Sequence, residues 1–414
     1  MRECGGCESA GSVSEIVVVG AGPVGLTAAL AVRAAGCPVT VLEAGAADRV
    51  RPGSRAIFLH RVTLNVLDRI RPGLGLELAR RGLGWSTKRT LYRGREVYRR
   101  TYPQPTPGVI PAATSLPQVA TERILLDACV QAGVAFIWNA EVTAAASSAD
   151  GVRLDIADGR HLTARYVIAA DGSRSAVRGA LGLHLEGPRT SNAYVIVDIA
   201  EDPGAPLPLE RVFHYEHPSA GRRNVLFVPF AGHWRVDLQC HPDDNPDDFG
   251  SEAGVRDWLV KVMPAKYADR VTWVSTYIFR QAIAAAFTDA HRRILLAGEA
   301  GHVFAPFGAR GLNSGVADAY VAAVAIAAAL TAPSPDAAAA LVAAAAESRL
   351  AAAARNRAAS SRALRHLQAS STREKLVRRV AARLAPVSPP LGKWLDTAPF
   401  GPPLGPPDRD GMQY

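Results

Sequence analysis

The sequence predicts an α/β protein with a parallel-sheet unit, an inserted antiparallel β-sheet and a helical C-terminal region. Three observations predict it. Short apolar or β-branched runs at 16–19, 162–169 and 293–297 each empty into a glycine-containing loop, as buried parallel strands do at one sheet edge. Residues 181–290 instead carry apolar and aromatic runs separated by turn residues, the pattern of antiparallel strands. Beyond Ala332 the chain is rich in Ala and Arg, a helix-forming composition.

The first strand, 16–19, runs into Gly20-Ala21-Gly22-Pro23-Val24-Gly25, the G-x-G-x-x-G spacing. Gly20 permits the tight turn, Gly22 lets backbone approach a pyrophosphate, and Gly25 lets the next helix pack close to the sheet. That helix, 26–35, aims its N-terminal amides and positive dipole end at the phosphates. Residues 38–42 form a second strand ending at Glu43, with Ala44 behind it. A carboxylate there can accept both hydroxyls of an adenosine ribose and would repel a 2′-phosphate. This Rossmann-like unit, complete in about 30 residues, points to a bound dinucleotide and leaves NAD and FAD open.

After an Arg-, Gly- and Ala-rich loop, a helix is expected over 60–70, then β-hairpins and loops over 82–114. Gln118 begins another helix carrying Arg123, and 134–138 is a strand. Asp158-Gly159 turns a hairpin whose return strand, 162–169, ends in Asp171-Gly172-Ser173-Arg174-Ser175. The third strand, 293–297, enters Gly298-Glu299-Ala300-Gly301-His302 and then Pro306-Phe307-Gly308-Ala309-Arg310-Gly311-Leu312-Asn313. A helix is expected from about Val316, helical structure to about Leu384, and a Pro- and Gly-rich extended surface segment after it. The expected domains are a flexible leader at 1–13 and a discontinuous dinucleotide-binding unit at 14–81, 115–180 and 288–332. A β-sheet substrate unit follows at 82–114 and 181–287, and a helical C-terminal region at 333–414.

Composition narrows the function classes. A chain of 414 residues with 48% hydrophobic and 21% charged residues is globular. Its net charge of +9 is spread along the chain and reads as solubility and attraction for anionic cofactors, with no nucleic-acid-reading motif. The cysteines at 4, 7, 37, 129 and 240 form no disulfide framework. Cys4 and Cys7, in the Gly/Ser-rich leader, are expected in a flexible tail rather than in a metal or redox site. The acidic stretch 241–248 lacks the glycine and terminal Glu of a calcium loop, so no metal is expected. The N-terminus carries no apolar signal segment, and the apolar run 319–331 is too short to span a bilayer. The expectation is a cytoplasmic protein, monomer or homodimer, without membrane or nucleic-acid partners.

Taken together, the three loops resemble the single-component flavoprotein aromatic hydroxylases, the class A flavoprotein monooxygenases typified by para-hydroxybenzoate hydroxylase. The glycine loop with Glu43 is the first motif, Asp171-Gly172-Ser173-Arg174-Ser175 the family's "DG" motif, and 298–313 its "GD" motif and flavin loop. One departure is Glu299, where the family usually has Asp. The resemblance implies FAD as cofactor and NAD(P)H as a transient co-substrate. It implies FAD contacts from Gly20, Gly22, Pro23, Val24, Gly25, Glu43 and Ala44, and pyrophosphate contacts from Arg55 and Gln118, with Arg123 nearby. Asp171 and Gly172 serve the second loop, and Gly298 and Glu299 the ribityl chain. Pro306, Gly311, Leu312 and Asn313 would lie along the flavin ring. His302 is expected to be a packing histidine.

The implied reaction is reduction of FAD by NAD(P)H, formation of a C4a-hydroperoxide with O2, and transfer of one oxygen to a phenolic or polycyclic aromatic molecule. A Baeyer–Villiger or epoxidising enzyme, or a flavin-binding protein without oxygenase activity, are the alternatives on this scaffold. Substrate-lining candidates are Phe213, Tyr215, Trp234, Arg235, Tyr277, Phe304 and Phe307, with Pro306 at the reacting centre. His214 or Tyr215 is the candidate for taking a phenolic proton. Strand alternation allows at most one of these two neighbours to face inward.

Overall fold

The structure, a computed structural model, describes residues 13–49, 53–103 and 106–401. The expected leader with Cys4 and Cys7, and the last thirteen residues of the Pro-rich tail, lie outside the described residues.

The chain opens with β1 (Val13–Val19), α1 (Pro23–Ala34) and β2 (Thr40–Leu42). Proline suits the first turn of α1, where its missing N–H has no helical partner. Next come β3 (Phe58–His60), α2 (Arg61–Ile70), α3 (Leu74–Arg81), the hairpin β4 (Thr87–Tyr92) and β5 (Arg95–Thr101), and β6 (Ala113–Ser115). Then follow α4 (Gln118–Gln131), β7 (Ala135–Ile137), β8 (Val142–Ser147), β9 (Val152–Ile156) and β10 (His161–Ala169). Short α5 (Ala176–Ala180) and β11 (Leu185–Glu186) lead into the insertion. It holds β12 (Arg189–Ala200), β13 (Glu210–Tyr215), β14 (Val225–Phe230), β15 (His233–Gln239), α6 (Pro246–Gly250), α7 (Glu252–Val262) and β16 (Val271–Arg280). The chain ends with β17 (Ala282–Ala284), β18 (Ile294–Leu296), β19 (His302–Val303), α8 (Arg310–Leu330), α9 (Pro335–Gln368), α10 (Thr372–Leu384) and α11 (Pro389–Thr397).

Two seven-stranded sheets organise these elements. The first runs β7-β2-β1-β10-β9-β8, with β18 also on β10. Its central pairs, β2 on β1, β1 on β10 and β10 on β18, are parallel. The second runs β16-β12-β15-β14-β13-β4-β5. It is not purely antiparallel, because β4 joins β13 in parallel. That is possible because a long connection, not a tight turn, separates β4 from β13.

Several expectations change. Helix α7 was not anticipated, although Val255, Trp258 and Leu259 are buried at helical spacing and Ser251 caps its N-terminus. Helix α8 starts at Arg310 rather than near Val316. The segment after Leu384 is not wholly extended, because α11 begins at a proline, which the first turn tolerates. Its Leu391 and Leu395, one turn apart, pack with Phe400 in a cluster containing Tyr92, Phe213 and Tyr215. Helices α8 and α9 are also long and apolar enough to cross a membrane by length and composition, where the sequence suggested no such segment. Most of α8 is buried, and it packs on α1 and α9, as a core helix does.

A buried ion network joins α8 and α9 to the third loop. Asp318, 1% exposed, accepts hydrogen bonds from the Gly298 amide (3.1 Å) and Arg349 Nε (2.7 Å), and pairs with His302 Nε2 at 2.6 Å. Burial alone would raise its pKa, but Arg349 and His302 hold it below the usual carboxylate value. Deleting one partner of such a pair strands the other charge in the core. Asp318→Ala is therefore expected to lose about 3–5 kcal/mol of unfolding free energy in a urea titration, and a loss below about 1 kcal/mol would show that the network contributes little. The folded pKa is depressed, so the carboxylate's contribution is present above about pH 4 and is lost as the pH falls through the lower folded value. That acid-sensitive component should be missing from the variant.

Candidate active site

Strand register brings the three loops together. Val19 pairs with Leu42 and with Ala169, and Ala169 pairs with Leu296. Gly20, Glu43, Asp171 and Gly298 therefore leave neighbouring strands at one edge, the carboxyl end of the parallel sheet, where such sheets bind ligands.

The glycines there do different work. Gly20 has φ +98°, and a Cβ on it would lie 2.5 Å from the Ala170 carbonyl oxygen. A Cβ on Gly25 would lie 1.8 Å from the Gly20 oxygen, so both are needed to close the turn. Gly22 is different, since nothing lies within 4 Å of where its Cβ would be. Helix α1 has no side-chain cap and no acidic residue in its first turn, so its free amides face that space. Helix α8 shows the same features. Ala309, at φ +54°, is its N-cap, no side chain caps it, and Gly311 has open space beside it. Two uncapped helix starts give two places for negative charge.

Glu43 is buried and accepts from the Ala21 amide (2.6 Å) and the Gly45 amide (3.0 Å), with Arg49 at 3.5 Å. Pro23 and Val24 begin α1, Val24 lies against Gly298, and Ala44 is exposed. Asp171 Oδ2 accepts from the Val177 amide at 3.2 Å, while its buried Oδ1 has no partner among the described residues. Burial pushes this carboxyl up. Gly172, at φ +81°, borders open space. Glu299 is accessible to water yet surrounded by protein, as a group on the wall of a cleft is. Burial raises its pKa, and the charges of His302 and Arg55 draw it back. Gly301 is already filled by Phe287, whose ring a Cβ would meet at 3.0 Å, so it gives Glu299 no extra room. A convergent edge with free amides, an orphaned carboxylate oxygen and an unfilled cradle at Gly22 fits FAD.

Arg55 is exposed and left-handed, with φ +50°, an uncommon conformation for a side-chain-bearing residue. Gln118 reaches the same segment, with its Oε1 3.4 Å from the Ala56 amide. Arg123 does not join them; its exposed side chain pairs with Asp127 at 3.4 Å. Asn313 is fully buried. Its side chain accepts from the His60 amide (3.0 Å) and Thr63 Oγ1 (2.6 Å), and donates to Phe58 and Ala309 carbonyls, so it anchors the loop rather than facing a ligand. Leu312 is half-buried beside it. His302, through Asp318, is a structural residue. Arg310 is buried, and bonds Asn356 Oδ1 at 3.1 Å and the Phe400 carbonyl at 3.3 Å.

Strand alternation sorts the aromatic candidates. Trp234 lies in the cluster behind the sheet with Val236, Leu238 and α7, and its Nε1 donates to Glu201 at 2.6 Å. Arg235 takes the opposite face, pairs with Asp198 at 3.0 Å, and bonds Ser54 Oγ and the Arg55 carbonyl. It clamps the Arg55 segment instead of offering a free cation. His214 packs tilted against His217 and edge-on to Phe227, and burial pushes it down to about 3. Tyr215, fully buried, donates to the Leu395 carbonyl at 2.7 Å and meets His366 Nε2 at 2.8 Å. The Tyr215 hydroxyl is thus occupied by protein, and His214, opposite Val225, faces the cluster behind the sheet. Phe304 stacks on His302 at 4.5 Å in the first sheet's core. Phe307 turns the other way, 5.4 Å from the Tyr194 ring and 5.8 Å from Phe279. Phe213 lies beside Tyr215 and Phe400, Tyr277 stacks near Phe279, and Pro306 is exposed. The role of Phe400, whose carbonyl would lie 2.6 Å from a Cβ on Gly308, left no signal in a Pro- and Gly-rich stretch.

Comparison with known proteins follows the same lines. A family model described as "FAD binding domain" matches residues 13–360. The chain is 32% identical over 318 residues to a 6-methylpretetramide 4-monooxygenase from Streptomyces rimosus, covering 74% of this chain and 54% of the relative. It is 27% identical over 326 residues to a 3-(3-hydroxy-phenyl)propionate/3-hydroxycinnamic acid hydroxylase from Mycobacterium avium, covering 74% and 53%. The chain thus spans about half the length of these curated relatives. Among solved structures, p-nitrophenol 4-monooxygenase from Pseudomonas putida superposes with a TM-score of 0.74 at 25% identity, over 95% of this chain and 100% of the other. The anhydrotetracycline hydroxylase OxyS from Streptomyces rimosus gives 0.69 at 25% identity, over 95% and 78%. With its three loops at one sheet edge and this match over 13–360, the chain belongs to the FAD_binding_3 family and is homologous to the FAD-dependent aromatic hydroxylases, the class A flavoprotein monooxygenases.

Proposed function

We propose that this protein is an FAD-dependent monooxygenase that uses NAD(P)H to place one oxygen atom from O2 on a phenolic or polycyclic aromatic small molecule in the cytoplasm. One observation carries the reading. The edge that gathers Gly20, Glu43, Asp171 and Gly298 is joined to the inserted sheet by Arg235, which bonds the Arg55 carbonyl. A cofactor at that edge therefore lies beside the patterned face of the second sheet. On this reading 14–81, 115–180 and 288–332 hold the cofactor, 82–114 and 181–287 the substrate, and 333–414 closes the site. Relatives named for 6-methylpretetramide and for p-nitrophenol support the substrate class.

FAD, when bound, supplies the redox and oxygen-transfer chemistry. The chain's residues bind and orient it. The α1 amides, Gly22 and Arg55 would take the pyrophosphate, Glu43 the adenosine ribose, and Glu299 a ribityl hydroxyl. The first-turn amides of α8, at 310–312, would face the pyrimidine edge of the ring, where a helix N-terminus favours negative charge. Phe307 and the neighbouring aromatics would exclude water from the reacting face.

Two measurements test this. Gly22 has room for a Cβ, so Gly22→Ala should keep thermal stability within about 0.5 kcal/mol and weaken FAD binding at least about tenfold, or ~1.4 kcal/mol. Unchanged affinity would remove the pyrophosphate from that space. The FAD-loaded protein should consume NAD(P)H in air faster with one member of a phenolic and polycyclic panel, giving a product heavier by one oxygen. If the bound flavin is not reduced by NAD(P)H even without oxygen, the monooxygenase reading fails.

A further inference from the structure

We infer that Asp237 is the catalytic residue that takes the hydroxyl proton of a bound aromatic substrate, an assignment that rests on the reading above. Neither expected group is free to do this, since His214 packs behind the sheet and Tyr215 is held by Leu395 and His366. The sheet face toward the cofactor edge offers another.

Along β15, Trp234, Val236 and Leu238 enter the core with α7, so Arg235, Asp237 and Gln239 take the other face. Register sets Asp237 opposite Ile196 on β12 and Leu226 on β14, and Leu226 opposite Phe213 on β13. One carboxylate thus sits between two apolar neighbours in a cross-strand row that continues to Ser275 beyond Ile196 and to Thr90 beyond Phe213. Its Oδ1 is buried and has no hydrogen-bond partner among the described residues. The hydroxyl of Tyr194, diagonal to it on β12, is in the same condition. The Tyr194 ring lies 5.4 Å from Phe307, in the loop that precedes α8. Two unpartnered polar atoms on neighbouring strands, one of them on a ring beside that loop, are what a site built for a hydroxyl-bearing ligand leaves.

The charged groups that face Asp237 are Arg235 on its own strand and Asp198 on β12, together with Tyr194. Arg235 is already committed to Asp198, Ser54 and the Arg55 carbonyl. Burial pushes the Asp237 carboxyl up to about 7, with Arg235 lowering it and Asp198 raising it. A base of that strength is matched to neutral pH.

The step balances without a further reactant. The substrate O–H bond breaks, its proton passes to an Asp237 carboxylate oxygen, and the electron pair stays on the substrate oxygen. The ring becomes more electron-rich, and the Tyr194 hydroxyl can donate to the new oxyanion. The same carboxylate repels anions, so the site selects neutral hydroxyarenes.

The test uses the FAD-loaded full chain and 4-methylphenol, which itself ionises at about 10, with binding read from the flavin absorbance across a pH series spanning neutrality. Wild type should bind about tenfold more tightly above pH 7 than well below it, as a carboxylate accepts the hydroxyl better than a carboxylic acid. Asp237→Asn should bind weakly at every pH. Equal pH dependence in both proteins would overturn the assignment. So would a wild-type response that is flat with pH or absent, and this arm needs no variant to fold. Reduction of the flavin by NAD(P)H without oxygen, measured on the same samples, reports on the monooxygenase reading separately.

Discussion

The buried carboxylate of Asp318 ties the site to the helical part of the molecule. It holds the Gly298 amide, His302 and Arg349 at once, so the third loop, β19, α8 and α9 share one anchor. A buried charge is tolerated only when it is paired and hydrogen-bonded, and this one is. The arrangement also ties the loop carrying Glu299 to the helix whose first turn is uncapped. Small residues let these parts approach: a Cβ on Gly315 would lie 2.5 Å from Val24 Cγ2.

Around that anchor the site keeps unsatisfied groups in view. Buried polar groups in proteins nearly always find partners. Among the buried oxygens without a partner among the described residues are Asp171 Oδ1 at the second loop and Tyr194 Oη and Asp237 Oδ1 on the facing sheet. Two of the left-handed non-glycine residues, Arg55 (φ +50°) and Ala309 (φ +54°), lie next to these loops. Left-handed conformations cost such residues roughly 1–3 kcal/mol each, a cost the surrounding contacts offset. Arg235 and Asn313 do much of this, because each bonds the backbone of the 54–60 segment.

The C-terminal region ties the start of α8 to the second sheet. Asp396, buried on α11, pairs with Arg211 and accepts from Thr90 at 3.1 Å. Leu395 receives the Tyr215 hydroxyl, and Phe400 receives Arg310. A segment with the composition of a surface wrap is therefore part of the wall that links the flavin loop to the second sheet.

The sequence by itself determined the elements whose signal is local. Glycine spacing, β-branched strands and terminal acids marked the three loops, because tight turns and helix starts need particular residues at particular offsets. Apolar and aromatic runs between turn residues marked the second sheet. What only the tertiary structure decided depends on register and on partners far along the chain. Which of His214 and Tyr215, or of Trp234 and Arg235, faces the cofactor edge follows from pairing between strands, since one residue of slip reverses every side chain. That Arg235 and Asn313 are committed to backbone, and that Asp237 keeps an unpartnered Oδ1 among the described residues, follows from contacts no spacing encodes. A proline-rich stretch could become α11 only because Tyr98, Phe213 and Tyr215 were there to receive its apolar face, and tertiary packing outweighs local propensity in such segments.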